Sequence, residues 1–266
     1  MKNHTHFNDF IKKMEYFNYS KHTVKAYSHY LKEFLNKVGV MPSKLSSKHF
    51  TNYLFSYKFS SVSQQNQVIN ALKFFYEKVL NKKYAKIDFK RPRNEKKLPH
   101  IIDKDFLLEK ILAIKNIKHK AILALAYSGG LRVSEVLNLK LKDIDSKRMI
   151  LNIMQAKGRK DRIVPLSLPL LKILREYYKQ EKPKVYLFNG QFSLQYSATS
   201  CNKLIKKYIA KDNSMHTLRH SAFTHLHESG VDIAIIKEIA GHKSIKTTQI
   251  YLHVSKQTLN KIQMPL

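Results

Sequence analysis

Acidic side chains are scarce in this sequence. Its 266 residues carry 19 Asp plus Glu against 49 Lys plus Arg, a formal charge of +30 at pH 7 and a pI near 10.0. Such an imbalance opposes compaction by self-repulsion and draws the protein to polyanions, so nucleic acid is the leading candidate partner. A generally lysine-rich, solvated surface, or the composition of an A·T-rich genome, would give a similar count. Cysteine is nearly absent: Cys201 alone excludes an intramolecular disulfide framework and a cysteine-based zinc site, which fits a reducing compartment. No run approaches the roughly 18 apolar residues of a membrane span. The opening MKNHTHFNDF lacks the apolar stretch of a signal peptide. The expectation is a soluble, cytoplasmic protein with no membrane partner.

Helical periodicity dominates what is present. Residues 1–90 read as a helical bundle. Val24, Tyr27, Leu31, Phe34, Leu35 and Val38 recur at helical spacing with Lys25, Lys32 and Lys37 on the wet side. Phe50, Tyr53, Leu54 and Tyr57 mark a shorter helix, Val68 to Leu80 a longer one, and Phe7 to Phe17 a fourth. Their aromatic stripes suit a core better than base-stacking platforms. Residues 1–97 hold 20 basic and 6 acidic side chains, net +14, and the remainder 29 and 13, net +16, so both halves are cationic. That suits a protein that grips a duplex from two sides, with Lys21, Lys25, Lys73 and Lys78 as candidate backbone contacts. Asn81 to Pro99 is basic, holds two prolines and has no sustained period, so residues 91–99 read as a basic linker, either a strap along DNA or a free tether.

Residues 100–266 form a second domain. Asp103 is placed to cap a helix, Lys118 to Ser128 is apolar nearly all round, and Pro169 to Tyr178 and Thr199 to Ala210 are helical. The β-patterned runs Met149–Ile153, Ile163–Leu166 and Val185–Phe188 suffice for a small sheet. The fold class is therefore mainly α with a small antiparallel β-sheet.

Residues suited to phosphate chemistry concentrate in this second half. In HTLRH, His216 and Arg219 stand three apart, on one face of a helix. Gly230 and Gly241 read as helix stops, the second just before His242, and Ser244 is placed to cap a short helix carrying Lys246 to Tyr251. Upstream, SGGLRVSEVLNL breaks a buried helix at Gly129 and Gly130 and restarts it at Arg132, where free N–H groups would favour an anion. Lys157-Gly158 lies between two β-runs and reads as a hairpin turn. His216, His220, His225 and His227 crowd together without adjacent carboxylates or thiols at ligand spacing, so no metal is expected.

In order and in local context, Arg132, Lys157, His216, Arg219, His242 and Tyr251 resemble the active-site set of the tyrosine recombinases, the phage-integrase and Xer-type family. The phrases AKGRKDRIVPL, HTLRHSAFTHLHESG and AGHKSIKTTQIYLHV match the family style, with Ala240 where Leu is frequent. The resemblance implies an N-terminal core-binding, SAM-like domain and a C-terminal catalytic domain whose tail, residues 252–266, docks on its own or a neighbouring subunit. It also implies action on double-stranded DNA as a tetramer bridging two sites, with a second recombinase or accessory protein as a possible partner and no cofactor.

The reaction this resemblance implies is attack by the Tyr251 phenolate on a DNA phosphodiester, which would give a 3′-phosphotyrosyl link and a free 5′-hydroxyl, conserving the ester. Arg132 and Arg219 would hold the phosphoryl oxygens. Lys157 would protonate the leaving oxygen, His216 would accept the tyrosine proton, and His242 would donate to the phosphate. Glu135 would orient an arginine, Arg159 would lie on a DNA-facing loop, and His220 and Tyr127 would be structural. Two other readings remain open: a type IB topoisomerase relaxing one duplex, and a non-catalytic architectural DNA-binding protein.

Overall fold

The computed structural model describes residues 2–83, 91–92, 99–154, 161–242 and 244–251, with side chains from residue 5 onward. The chain divides into two compact units, Met1–Lys96 and Lys97–Leu266. Among the described residues, no helix is long and apolar enough to cross a membrane.

Among the described residues, the regular structure of the first unit is all helical. Helices α1 (Lys2–Tyr16), α2 (Lys21–Val38), α3 (Ser47–Ser56) and α4 (Val62–Phe74) follow in order, and α4 runs on into a wider turn over Phe75–Val79. Their ends follow local chemistry. The Ser20 hydroxyl accepts the Thr23 N–H at the start of α2, and Gly39 closes that helix in the left-handed conformation at φ 64°. The interior is aromatic: Phe34 meets Phe50 at 4.5 Å and Tyr53 at 5.0 Å between ring centroids, and Phe50 meets Tyr76 at 4.9 Å. Tilted and edge-on rings at these spacings contribute packing beyond the area they bury. Phe10, Met14, Leu31, Val68 and Leu72 complete the core, so these stripes are interior and not a stacking surface.

The second unit is built on α6 (Ile117–Ser128), whose residues Ala121 to Ala126 are all buried. Helix α5 (Lys104–Leu112), α8 (Leu168–Glu181), α9 (Ala198–Tyr208) and α10 (Met215–Glu228) pack against it. Short helices α7 (Val133–Asn138), α11 (Ile233–Ala240) and α12 (Ile245–Thr248) carry polar residues toward one place. Asp103 caps α5 by accepting the Phe106 N–H at 2.9 Å.

The sheet is antiparallel in the order β1 (Ile144–Asp145), β2 (Ile150–Ile153), β3 (Arg162–Pro165), with Ile144 opposite Leu151 and Ile153 opposite Arg162. This corrects the expected third strand. Residues 185–188 make only an isolated bridge, Lys140 to Tyr186, because Leu139 and Leu141 engage them outside the sheet. Leu187 and Phe188 are both buried, so the run lacks the alternation of a half-exposed strand. The true partner, β1, spans two residues, too few for a periodic signal. Met149 stands at φ 56°, so β2 begins one residue later than its apolar run.

Candidate active site

Helix α6 ends at Gly129, and Gly130 turns the chain in the left-handed region at φ 55°. A Cβ at residue 130 would lie 2.5 Å from Phe223 Cζ, so both the conformation and the close approach require glycine. The turn delivers Arg132 as the N-cap residue of α7. The anion expected at this helix start is supplied from within: Glu135 accepts the Arg132 backbone N–H at 2.8 Å and the Arg132 Nη1 donor at 2.7 Å.

Arg219 lies one turn into α10 with only 1% of its surface exposed. A buried guanidinium is tolerated where its donors find acceptors. Nη1 donates to the Gly130 carbonyl and stands 4.0 Å from Glu135 Oε2, while Nη2 donates to the Ala240 carbonyl at 2.6 Å. The cation also sits 4.7 Å from the centroid of the Phe223 ring. Burial first, then the charge of Arg132, lowers Arg219 to about 10, which leaves it protonated at neutral pH.

Helix α11 stops at Gly241, φ 62°, and presents His242. Arg219 Nη2 lies 3.2 Å from His242 Nε2, and Nδ1 lies 2.9 Å from Thr248 Oγ1. Arginine can only donate, so Nε2 is the acceptor and Nδ1 carries the proton to Thr248. In this arrangement His242 has no Nε2 proton to give. Burial, then the charges of Arg219, Arg132 and Arg162, brings it down to about 4, so the ring is neutral.

Tyr251 closes the set on a single turn of 3-10 helix after α12. Its ring is stacked on His242 at 6.4 Å, packs on Phe223 at 5.6 Å, and is 1% exposed. Burial raises its pKa, and Arg219 and Arg132 pull it partly back. His216 lies on the first turn of α10 and is lowered by burial and then by Arg219 and Arg132. Its ring meets that of His220 at 4.3 Å, and His220 in turn lies 5.8 Å from Tyr251. His220 thus stands between the two, with Nδ1 buried and unpartnered. Tyr127 is half-buried and bonds His225 at 2.7 Å, away from this group.

Five of the six sequence candidates, Arg132, His216, Arg219, His242 and Tyr251, therefore converge. Lys157 and Arg159 lie outside the described residues. Lys21, Lys25, Lys73 and Lys78 belong to the first unit, where Lys73 lies 3.9 Å from Glu77 and the Lys78 ammonium 5.5 Å from the Phe17 ring centroid.

Sequence reading passed over Arg162. It is buried at the head of β3 and pairs with both Glu135 oxygens, Nη1 to Oε1 at 2.9 Å and Nη2 to Oε2 at 2.8 Å. Strand alternation was the available signal, since period two places residue 162 on the inward face with Val164. Burial would raise the Glu135 carboxyl, but hydrogen bonds and charge from Arg162, then Arg132, hold it at about 2.

Comparison with known proteins bears on this constellation. The family model described as the phage integrase family matches residues 94–258, and that described as the phage integrase N-terminal SAM-like domain matches residues 7–86. The tyrosine recombinase XerA of Pyrococcus horikoshii is 35% identical over 252 residues, 91% of this chain and 86% of its own length. The tyrosine recombinase XerD of Staphylococcus epidermidis is 34% identical over 73% of this chain and 72% of its own. A crystal structure of XerA recombinase superposes with a TM-score of 0.57 at 27% identity, covering 98% of this chain and 99% of that one. The fold is also that of XerH site-specific recombinase bound to its difH substrate, with a TM-score of 0.69 at 22% identity over 89% of this chain and 77% of that one.

Proposed function

The chain belongs to the phage integrase family of tyrosine recombinases, enzymes that cleave and rejoin DNA, and from that premise we propose that Tyr251 is the nucleophile and Arg132, Lys157, His216, Arg219 and His242 its catalytic partners. The observation that carries this assignment is the convergence of two guanidiniums, two imidazoles and one phenol from α7, α10, the end of α11 and the turn after α12.

The Tyr251 oxygen bonds to phosphorus as the bond to the 5′-oxygen breaks, leaving a 3′-phosphotyrosyl ester. A second strand's 5′-hydroxyl reverses the step on a new partner. A buried phenol with a raised pKa does not ionise in advance, so its proton leaves during attack, and His216 receives it once Tyr251 has moved clear of the His220 ring that stands between them here. Arg132 and Arg219 hold the non-bridging oxygens, where charge builds in the transition state, and Glu135 orients them. Lys157 protonates the departing 5′-oxygen. For His242 to donate to the phosphate, Arg219 must release Nε2 and that nitrogen must gain a proton, from outside or by a tautomer shift in which Nδ1 accepts from the Thr248 hydroxyl. Because Tyr251 is buried, the turn that carries it or the groups above it must shift for a duplex to reach it.

In this reading residues 1–90 are the core-binding domain, 91–99 the basic strap, 100–266 the catalytic domain, and 252–266 the tail that docks in the assembly. DNA is the partner, held in part by Lys21, Lys25, Lys73, Lys78 and Arg159, and the working unit is a tetramer on two sites.

A nicked suicide duplex bearing the recognition site tests the assignment. The wild-type protein forms an SDS-stable DNA adduct and Tyr251→Phe forms none; an adduct with Tyr251→Phe removes Tyr251 as nucleophile. Lys157→Ala loses cleavage on ordinary DNA and regains most of it on a 5′-bridging phosphorothiolate, whose thiolate leaves without a proton.

A further inference from the structure

Arg162 is bound on every side by groups that matter to the arginine pair. Its side chain is 6% exposed. Both terminal nitrogens engage Glu135, and Nε donates to the Ile239 carbonyl at 2.6 Å. That carbonyl immediately precedes the Ala240 carbonyl that receives Arg219. Two arginines thus grip successive carbonyls at the end of α11, a helix terminus whose partial negative charge favours cations, just before Gly241 and His242.

Glu135 is the shared resource. Oε1 takes Arg132 and Arg162, while Oε2 takes the Arg132 backbone and Arg162 with Arg219 at 4.0 Å. Three guanidiniums around one carboxylate leave a net charge of +2 for an incoming phosphate. The bidentate clasp of Arg162 holds the carboxylate by both oxygens in one plane. Released from it, Glu135, already bound to Arg132, would have open lone pairs 4.0 Å from Arg219 and would close on that second cation, cancelling charge the phosphoryl oxygens need.

We propose that Arg162 is a positioning residue for strand cleavage: by occupying Glu135 it keeps Arg132 and Arg219 directed at, and charged toward, the scissile phosphate. This rests on the recombinase assignment above. It differs from a purely structural ion pair in predicting that a folded R162K loses maximal rate while half-saturation stays near that of wild type.

The test is single-turnover adduct formation by the full chain on suicide DNA, read as a maximal rate and a half-saturating protein concentration, for wild type, R162K, R162M, E135Q and the doubles R162K/E135Q and R162M/E135Q. Lysine keeps the charge but cannot span both oxygens and a carbonyl. R162K is expected to lower the maximal rate about 10- to 100-fold, of the order seen when one oriented donor is lost, with half-saturation within about two-fold of wild type. R162M falls further. Neutralising Glu135 should restore about ten-fold of the rate lost in R162M, a coupling that independent effects would not give. If R162M does not fold by circular dichroism, the comparison of R162K with R162K/E135Q carries the same test. A folded R162K at the wild-type rate overturns the proposal, and so do double variants whose losses multiply. Absence of any adduct with wild type overturns the recombinase assignment itself, and the role of Arg162 with it.

Discussion

The two units bury opposite kinds of material. In the N-terminal bundle the interior is aromatic, Phe34 against Phe50 and Tyr53, and none of the described lysines or arginines is buried. In the second unit Arg219 and Arg162 are among the buried side chains, held by backbone carbonyls, one carboxylate and the Phe223 ring. Aromatic burial is favourable in itself, whereas a buried guanidinium is tolerated only when its donors are met, and hydrophobic replacement of such groups is often neutral or stabilising. The bundle is thus organised for stability, and the arginine cluster holds charge in place at a cost in desolvation.

Substitutions at matched depth sharpen this contrast. Phe34→Ala in the bundle should cost about 3–5 kcal/mol of stability by urea unfolding, as for other buried aromatics; a loss under about 1 kcal/mol would show that the ring cluster is not the core. Arg219→Lys should instead lower cleavage by about 10²–10³-fold while DNA affinity changes little. Equal losses in both would place Arg219 in binding and remove it from the transition state. Gly130→Ala forces a side chain into left-handed backbone and against Phe223, at a cost of about 1–3 kcal/mol. An unchanged melting temperature would mean that the turn relaxes freely.

Acid separates the units as well. His220 and His242 are lowered to about 4 from an ordinary 6.5 by burial and neighbouring charge. Between those values the unfolded chain binds protons that the folded one excludes. Their contribution to stability is therefore complete above about 6.5 and is lost as pH falls toward 4. Urea midpoints of the second unit should fall across that window, and a flat profile would show that these rings are solvated. The smallest effect belongs to the surface: Lys21→Gln and Lys25→Gln should move stability by less than about 0.5 kcal/mol. Each should make the log–log salt dependence of DNA binding shallower by about 0.9 for every phosphate that the lysine neutralises in the wild-type protein. An unchanged slope would remove that lysine from the interface.

Helix α2 was legible because its apolar period is long, while its end signals, Ser20 and Gly39, emerged from the structure. Helix α6 was legible because nearly every position in it is apolar. Strand β1 was not, since two residues carry no period, and residues 185–188 misled because a buried apolar run need not join a sheet. Within the site, Arg132, His216, Arg219, His242 and Tyr251 could be read from residue type, order and local phrase. His220 was assigned to structure, yet its ring stands between His216 and Tyr251.

Residue chemistry along the chain was enough to decide the helical class and the cationic character, and local phrases named the candidate site residues, because periodicity, charge and short-range spacing are properties of neighbours in sequence. Which carboxylate serves which guanidinium was decided only by folding. Glu135 and Arg162 lie on different elements, α7 and β3, and no local pattern states that their side chains will meet. The tautomer of His242 and the burial of Tyr251 belong to the same class, since each depends on atoms that come into range only when α10, α11 and the turn after α12 close on one another.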